Sequence, residues 1–120
     1  MIKETVEYVD YNGTTRKEDF WFNLNEAEFT EAALSVDGGL DVKIRKIIDT
    51  KNQAEMIKLF KEILLMSYGE KSDDGRYFIK SKEKSTAFSQ TEAYNILFMK
   101  FARDDDAAAK FINGILPNKK

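Results

Sequence analysis

The side chains that most often carry out enzyme chemistry are missing from this chain. Its 120 residues include no histidine and no cysteine, so the commonest general base near neutral pH and all thiolate chemistry are absent. Nucleophilic catalysis would then depend on serine, threonine or lysine. Ser81–Lys84 (SKEK) has the S-x-x-K spacing, but the partner motifs that such sites require do not accompany it. The sequence therefore predicts that the protein is not an enzyme.

Two acidic segments were candidates for a metal site. A calcium-binding loop needs glycine at its sixth position and glutamate at its twelfth. With Gly75 at the sixth position, the twelfth is Ser81, which cannot supply the two carboxylate oxygens. Asp104–Asp106 lies at the predicted start of a helix, where acidic side chains complement the helix dipole. We expect no metal and no cofactor.

Composition and charge narrow the class of protein further. The chain is 42% hydrophobic with one proline and six glycines, which is typical of a folded domain, and its length predicts a single domain over residues 1–120. Its longest apolar runs, such as Ile63–Met66, are too short to span a membrane, and the N-terminus lacks the pattern of a signal peptide. The net charge of −2 is made of interspersed charges, whereas nucleic-acid binders usually carry a basic patch. We expect a cytoplasmic protein that binds neither membrane nor nucleic acid.

The N-terminal segment has the pattern of a β-hairpin. Residues 2–9 and 15–24 are rich in β-branched and aromatic side chains, and Asp10–Gly13 between them contains an Asn-Gly turn signal. Because side chains alternate along a strand, Phe20 and Phe22 should share one face and Trp21 should lie on the other. An isolated hairpin is not stable in water, so we expect it to dock on helices or on another chain.

Helical patterns are predicted for the region that follows, residues 25–68. Asn25–Glu28 is a capping box that should begin a helix reaching about Val36. Leu40–Thr50 carries an apolar stripe with helical spacing, and a third helix should begin near Asn52. We expect that helix to end at Tyr68-Gly69, with the glycine in the left-handed conformation.

A polar connector, residues 69–88, separates these helices from the C-terminal ones. Asp73–Gly75 is a turn signal, Arg76–Lys80 is compatible with a short strand or an extended arm, and Ser85–Phe88 with one helical turn. Ser89–Glu92 is a second capping box, expected to begin a helix that ends near Arg103. A last helix should run from Asp104–Asp106 to Pro117. The predicted fold is α+β and mostly α: an N-terminal β-hairpin (1–24) followed by a bundle of five or six short helices (25–68 and, after the connector, 89–117).

The aromatic side chains favour a function based on contact. Helical spacing assigns Phe88, Phe98 and Phe101 to the core. Tyrosine and tryptophan are enriched at contact surfaces because each offers a large apolar area with one polar group. We predict that partners contact these residues: Trp21, Phe22, Tyr68, Tyr77 and Phe78.

Four segments of the chain together carry a family likeness. They are YVDYNGTTRKEDFWFNL (Tyr8–Leu24), SYGEKSDDGRYFIKS (Ser67–Ser81), AFSQTEAY (Ala87–Tyr94) and FMKFARDDDAAAKFINGILP (Phe98–Pro117). With them the chain resembles the small tail assembly chaperones of long-tailed siphophages that infect Gram-positive bacteria. The resemblance implies a mainly helical, non-enzymatic protein and supplies no set of functional residues.

The resemblance also implies partners and a location. Such proteins coat the tape measure protein during tail assembly, can self-associate, and give way to the tail tube protein. We therefore expect this chain in the host cytoplasm and not in the mature virion. Two alternatives stay open: a structural head–tail connector or minor tail protein of the virion, and a small phage protein that binds a host factor.

Overall fold

The chain begins with two strands, and two more strands lie between its helices. The computed structural model describes residues 1–35 and 53–115. Within these ranges the elements are β1 (Ile2–Val9), β2 (Thr15–Phe22), α1 (Glu26–Ser35), α2 (Gln53–Ser67), β3 (Tyr68–Lys71), β4 (Phe78–Ile79), α3 (Lys82–Ser89), α4 (Glu92–Arg103) and α5 (Asp105–Ile115). The α+β class is confirmed. The helix predicted over Leu40–Thr50 and the stop at Pro117 lie outside the described residues.

The strands form one antiparallel sheet in the order β1-β2-β3-β4. The predicted hairpin is confirmed, with a register that runs from Ile2 opposite Phe22 to Val9 opposite Thr15. The sheet continues beyond it, because β3 pairs with the end of β2 and β4 pairs with β3. The connector therefore extends the hairpin into a four-stranded sheet, which the sequence did not predict.

Glycines with positive φ form both hairpin turns. Gly13 has φ 84° and Gly75 has φ 77°, a conformation that costs glycine little because it lacks a Cβ atom. In the first turn, the Asp10 carboxylate accepts hydrogen bonds from the backbone N–H groups of Asn12 and Thr14, each at 2.9 Å. In the second turn, Asp74 accepts one from Arg76 N–H at 3.0 Å. Both turn predictions are confirmed.

Gly69 does not end α2 in the left-handed conformation, so that prediction is wrong. The helix ends at Ser67, and Tyr68 and Gly69 pair directly with Phe22 and Trp21 of β2. Gly69 is required there for a different reason. A Cβ atom at this position would lie 2.6 Å from Cε2 of Phe78, so the absence of a side chain makes room for that ring.

One of the two predicted capping boxes is confirmed, and the other begins its helix at a different residue. Asn25 and Glu28 cap α1 reciprocally, with Asn25 Oδ1 accepting from Glu28 N–H at 2.8 Å and Glu28 Oε1 accepting from Asn25 N–H at 3.0 Å. The second capping box was placed two residues early. Ser89 is the last residue of α3, and Thr91 caps α4 by accepting from Tyr94 N–H at 3.1 Å. The helical turn predicted near Phe88 is an eight-residue helix, which holds that ring in the core.

The core lies between one face of the sheet and the helices. α4 and α5 pack on β1, while α3 packs on β3 and α2. Phe22 lies at the centre, with its ring centroid 5.2 Å from that of Phe111 and 5.8 Å from that of Phe88. Fully burying one such side chain stabilises the fold by about 1.5–3 kcal/mol. The buried cluster comprises Val6, Phe20, Phe22, Leu24, Phe29, Leu59, Phe60, Ile63, Leu64, Phe88, Ala93, Leu97, Phe101, Phe111 and Ile115.

Candidate interaction surface

The opposite side of the sheet carries side chains that solvent can reach. We call this side the open face. Residues directly opposite each other on antiparallel strands point to the same side, so Lys3, which pairs with Trp21, shares the open face with it. The other outward side chains of β1 and β2 are exposed and mostly polar: Thr5, Glu7, Val9, Thr15, Lys17 and Asp19. Trp21 is therefore a large aromatic side chain among mostly polar neighbours on β1 and β2.

Trp21 and Phe78 flank Gly69 on the open face. Trp21 is opposite Gly69 on β3, and Phe78 is opposite Lys71, two residues further along the same strand. The Phe78 ring covers the position that a Gly69 side chain would occupy. Both aromatic side chains are only partly buried. We name Trp21, Gly69, Phe78, Lys3 and Lys71 together the Trp21–Phe78 patch.

Lysine side chains surround the two rings. The Nζ atoms of Lys3 and Lys71 each lie 5.7 Å from the centroid of the Trp21 ring, a distance at which a cation is attracted to the ring face. Neither of these two lysines has an ion-pair partner among the described residues. Lys80 lies 5.6 Å from the Phe78 ring, but it is bound to Glu28 at 2.7 Å and to the Asn23 carbonyl oxygen at 2.5 Å.

The β3–β4 hairpin also exposes the apolar side chains that precede and follow Phe78 in the chain. Tyr77 is 58% exposed and Ile79 is 44% exposed. The Arg76 guanidinium lies 5.5 Å from the Tyr77 ring centroid. The turn at Gly75 joins β3 to β4. Ile79 pairs with Glu70 and therefore lies on the opposite side of the sheet from Phe78.

The five predicted contact residues divide between the two sides of the sheet. The structure brings Trp21 and Phe78 together on the open face and leaves Tyr77 exposed on the neighbouring hairpin. Tyr68 stacks on Phe88 with the ring centroids 4.2 Å apart, and burial raises the pKa of its hydroxyl. Phe22 is 0% exposed. The prediction that partners contact Phe22 is therefore wrong. Phe22 belongs to the core, because alternation along β2 directs its side chain away from Trp21 and toward the helices.

Sequence reasoning missed three residues of the patch. The alternation of β1 places Lys3 on the open face, but its position opposite Trp21 follows only from the hairpin register. Lys71 and Gly69 could not be assigned because the pairing of β3 with β2 joins segments that are far apart in the chain.

Ser81 and Asp104, whose side chains could in principle support chemistry, have structural roles. Ser81 caps α3 by accepting a hydrogen bond from Lys84 N–H at 3.0 Å. Asp104 accepts one from Ala107 N–H at 3.1 Å at the start of α5. Across the described ranges 1–35 and 53–115, no group of three or more acidic side chains could hold a metal ion. No helix in those ranges has the length and apolar character needed to cross a bilayer.

Among the described residues, Ser81 and Asp104 cap helices, and the sheet displays Trp21 and Phe78 on its open face. Comparison with known families identifies the family. A family model described as phage tail assembly chaperone matches residues 1–119, and the chain belongs to this family. No curated protein and no solved structure matches it. The protein is thus a non-enzymatic chaperone of phage tail assembly.

Proposed function

We propose that this chaperone binds the tape measure protein while the tail is assembled. Two facts support the proposal: family membership, and a surface suited to contact. The Trp21–Phe78 patch is the single observation on the chain that carries most weight, because partly exposed aromatic side chains on a rigid sheet supply contact area at small entropic cost. A chaperone of this kind would mask apolar segments of its client until the tail tube replaces it.

The proposal includes a location and further contacts. Binding takes place in the host cytoplasm, where the tail is assembled, and the chaperone leaves before the virion is complete. The tail tube protein displaces it from the client. Copies of the chaperone can also associate with one another along an extended client. Mixed surface charge, with 19 basic and 21 acidic residues, keeps such a protein soluble.

Affinity purification tests the proposed partner. The tagged chaperone is expressed with the tape measure protein of the same phage, purified, and analysed by size-exclusion chromatography. Co-elution of the two proteins supports the proposal. Elution of the chaperone alone, or recovery of a host protein in place of the tape measure protein, contradicts it.

Mass spectrometry of purified particles tests the proposed release. The chaperone should be found in assembly intermediates that contain the tape measure protein and should be missing from mature virions. A constant number of copies in every mature particle would instead identify a structural connector or minor tail protein.

A further inference from the structure

We propose that the Trp21–Phe78 patch docks an acidic segment of the client that carries an apolar side chain next to its carboxylates. This inference rests on the proposed function, since it specifies the chemistry of the client segment. The partner is a polypeptide segment with negative charge and one aromatic or aliphatic side chain as its anchor.

The positive charge of the patch is its first distinguishing feature. Two lysines that are not on the open face are paired with carboxylates: Lys84 with Glu70 at 3.0 Å and Lys100 with Glu4 at 2.9 Å. Lys3 and Lys71, in contrast, both approach Trp21 and have no carboxylate partner among the described residues. Both ammonium groups lie near the same ring, so a carboxylate placed beside either one is attracted to the patch.

Charge complementarity therefore favours a partner with negative charge at this site. The chain as a whole has a net charge of −2, so its overall charge does not attract an acidic partner. The patch is a local exception, which would direct an acidic segment to this site. Because Lys3 and Lys71 are solvent-exposed, the attraction should weaken as the salt concentration rises.

The aromatic side chains supply the second part of the recognition. The Trp21 ring has cations near it and Gly69 opposite it, and the Phe78 ring is fixed over that glycine. An apolar side chain of the client can lie against these rings and exclude water from the neighbouring lysine–carboxylate contacts. Aromatic anchors of this type commonly dominate binding energy at interfaces.

A single-stranded nucleic acid is the main competing occupant, since bases also stack on aromatic residues of a sheet. The composition of the open face argues against it. Glu7 and Asp19 lie on the same face as Trp21, and both would repel a phosphate backbone. A polypeptide needs only one short acidic stretch beside Lys3 and Lys71 and meets fewer like charges than a continuous phosphate backbone does, so the observations favour it.

Trp21 makes a direct test available because it is the only tryptophan in the chain. Its fluorescence is titrated with three synthetic peptides: one with aspartates flanking a phenylalanine, one with lysines replacing the aspartates, and one with alanine replacing the phenylalanine. We expect the first peptide to shift the emission to shorter wavelength. The second should give no shift, and the third should bind about tenfold more weakly.

Charge-reversal variants test the lysines. Lys3→Glu combined with Lys71→Glu should weaken binding of the acidic peptide by about tenfold or more. Lys58→Glu combined with Lys110→Glu makes the same charge change at exposed positions of α2 and α5 and should leave the affinity within about twofold, because exposed charges outside a contact contribute little. Equal losses for both double variants would overturn the proposal, since only the overall charge would then matter.

Three further outcomes would also overturn it. They are a stronger emission shift with the lysine peptide, an equal shift with a single-stranded oligonucleotide, and a shift that depends on chaperone concentration without any peptide. The last would show that a second copy occupies the patch. Failure here is distinguishable from failure of the proposed function: if the Lys3→Glu, Lys71→Glu variant still co-elutes with the tape measure protein, only the docking site is wrong.

Discussion

Alanine at two adjacent positions of β2 should have very different effects on stability. Phe22 is 0% exposed and contacts the rings of Phe111, Phe88 and Tyr68. Trp21 is partly exposed on the opposite side of the strand, where Lys3 and Lys71 lie near it. The two substitutions lie on the same strand and each removes a large aromatic side chain. A difference in stability between them therefore reports which side of the sheet each side chain occupies.

The expected magnitudes follow from these environments. Replacing a buried phenylalanine with alanine leaves a cavity and should lower the free energy of unfolding by about 3–5 kcal/mol. Replacing Trp21 removes partly buried area and weak cation–ring contacts, which together are worth about 1–2 kcal/mol. With the urea dependence usual for small proteins, a difference of about 2 kcal/mol separates the two unfolding midpoints by about 1 M.

The assay is urea unfolding followed by far-UV circular dichroism, which does not depend on the tryptophan. If Phe22→Ala leaves no folded protein, Phe22→Leu provides the comparison, since it keeps most of the volume and should cost about 1–1.5 kcal/mol. Trp21→Ala should keep its helical spectrum and lose binding to the client. A midpoint for Trp21→Ala as low as that for Phe22→Ala would show that Trp21 is a core residue and would refute the assignment of the open face.

Three other substitutions test separate parts of the fold. Gly69→Ala should lower the free energy of unfolding by about 1–3 kcal/mol and change Trp21 emission, because the new methyl group displaces the Phe78 ring; unchanged stability in urea would contradict that packing. Asn25→Ala should cost about 1 kcal/mol by removing the cap of α1, and a thermal melt with no shift would count against the cap. A hydrogen bond from the Arg16 guanidinium at 2.6 Å holds the pKa of Asp10 below its usual 3.8. Ionised Asp10 therefore stabilises the fold above that pH, and this contribution is lost as the pH falls through the lowered pKa. The Asp10→Asn variant should be less stable than wild type near neutral pH and equally stable in strong acid. Equal urea midpoints at neutral pH would refute this.

Features set by neighbouring residues could be predicted from the sequence. The hairpin follows from Asp10–Gly13, whose glycine takes the positive φ that such turns need. The start of α1 follows from Asn25 and Glu28, which form both hydrogen bonds of the capping box. The alternation of β2 correctly placed Phe22 and Trp21 on opposite faces.

Features that depend on distant pairing could not be predicted. A glycine after a helix usually marks its end, and nothing near Gly69 in the chain shows that β2 lies beside it. The same pairing brings Lys71 to Trp21. Two of the five residues of the Trp21–Phe78 patch, Trp21 and Phe78, were therefore identified from residue type alone, while the lysines that give it a charge were identified only from the structure.

The soluble yield of the tape measure protein tests the central claim most directly. The tape measure protein is expressed in bacteria alone, with the wild-type chaperone, and with Trp21→Ala, and its soluble fraction is measured at matched expression. A chaperone that binds this client by surface contact should increase the soluble fraction strongly and co-purify with it, and Trp21→Ala should lose much of that effect while remaining folded. If the wild-type chaperone leaves the soluble fraction unchanged and does not co-purify with the tape measure protein, the account is contradicted.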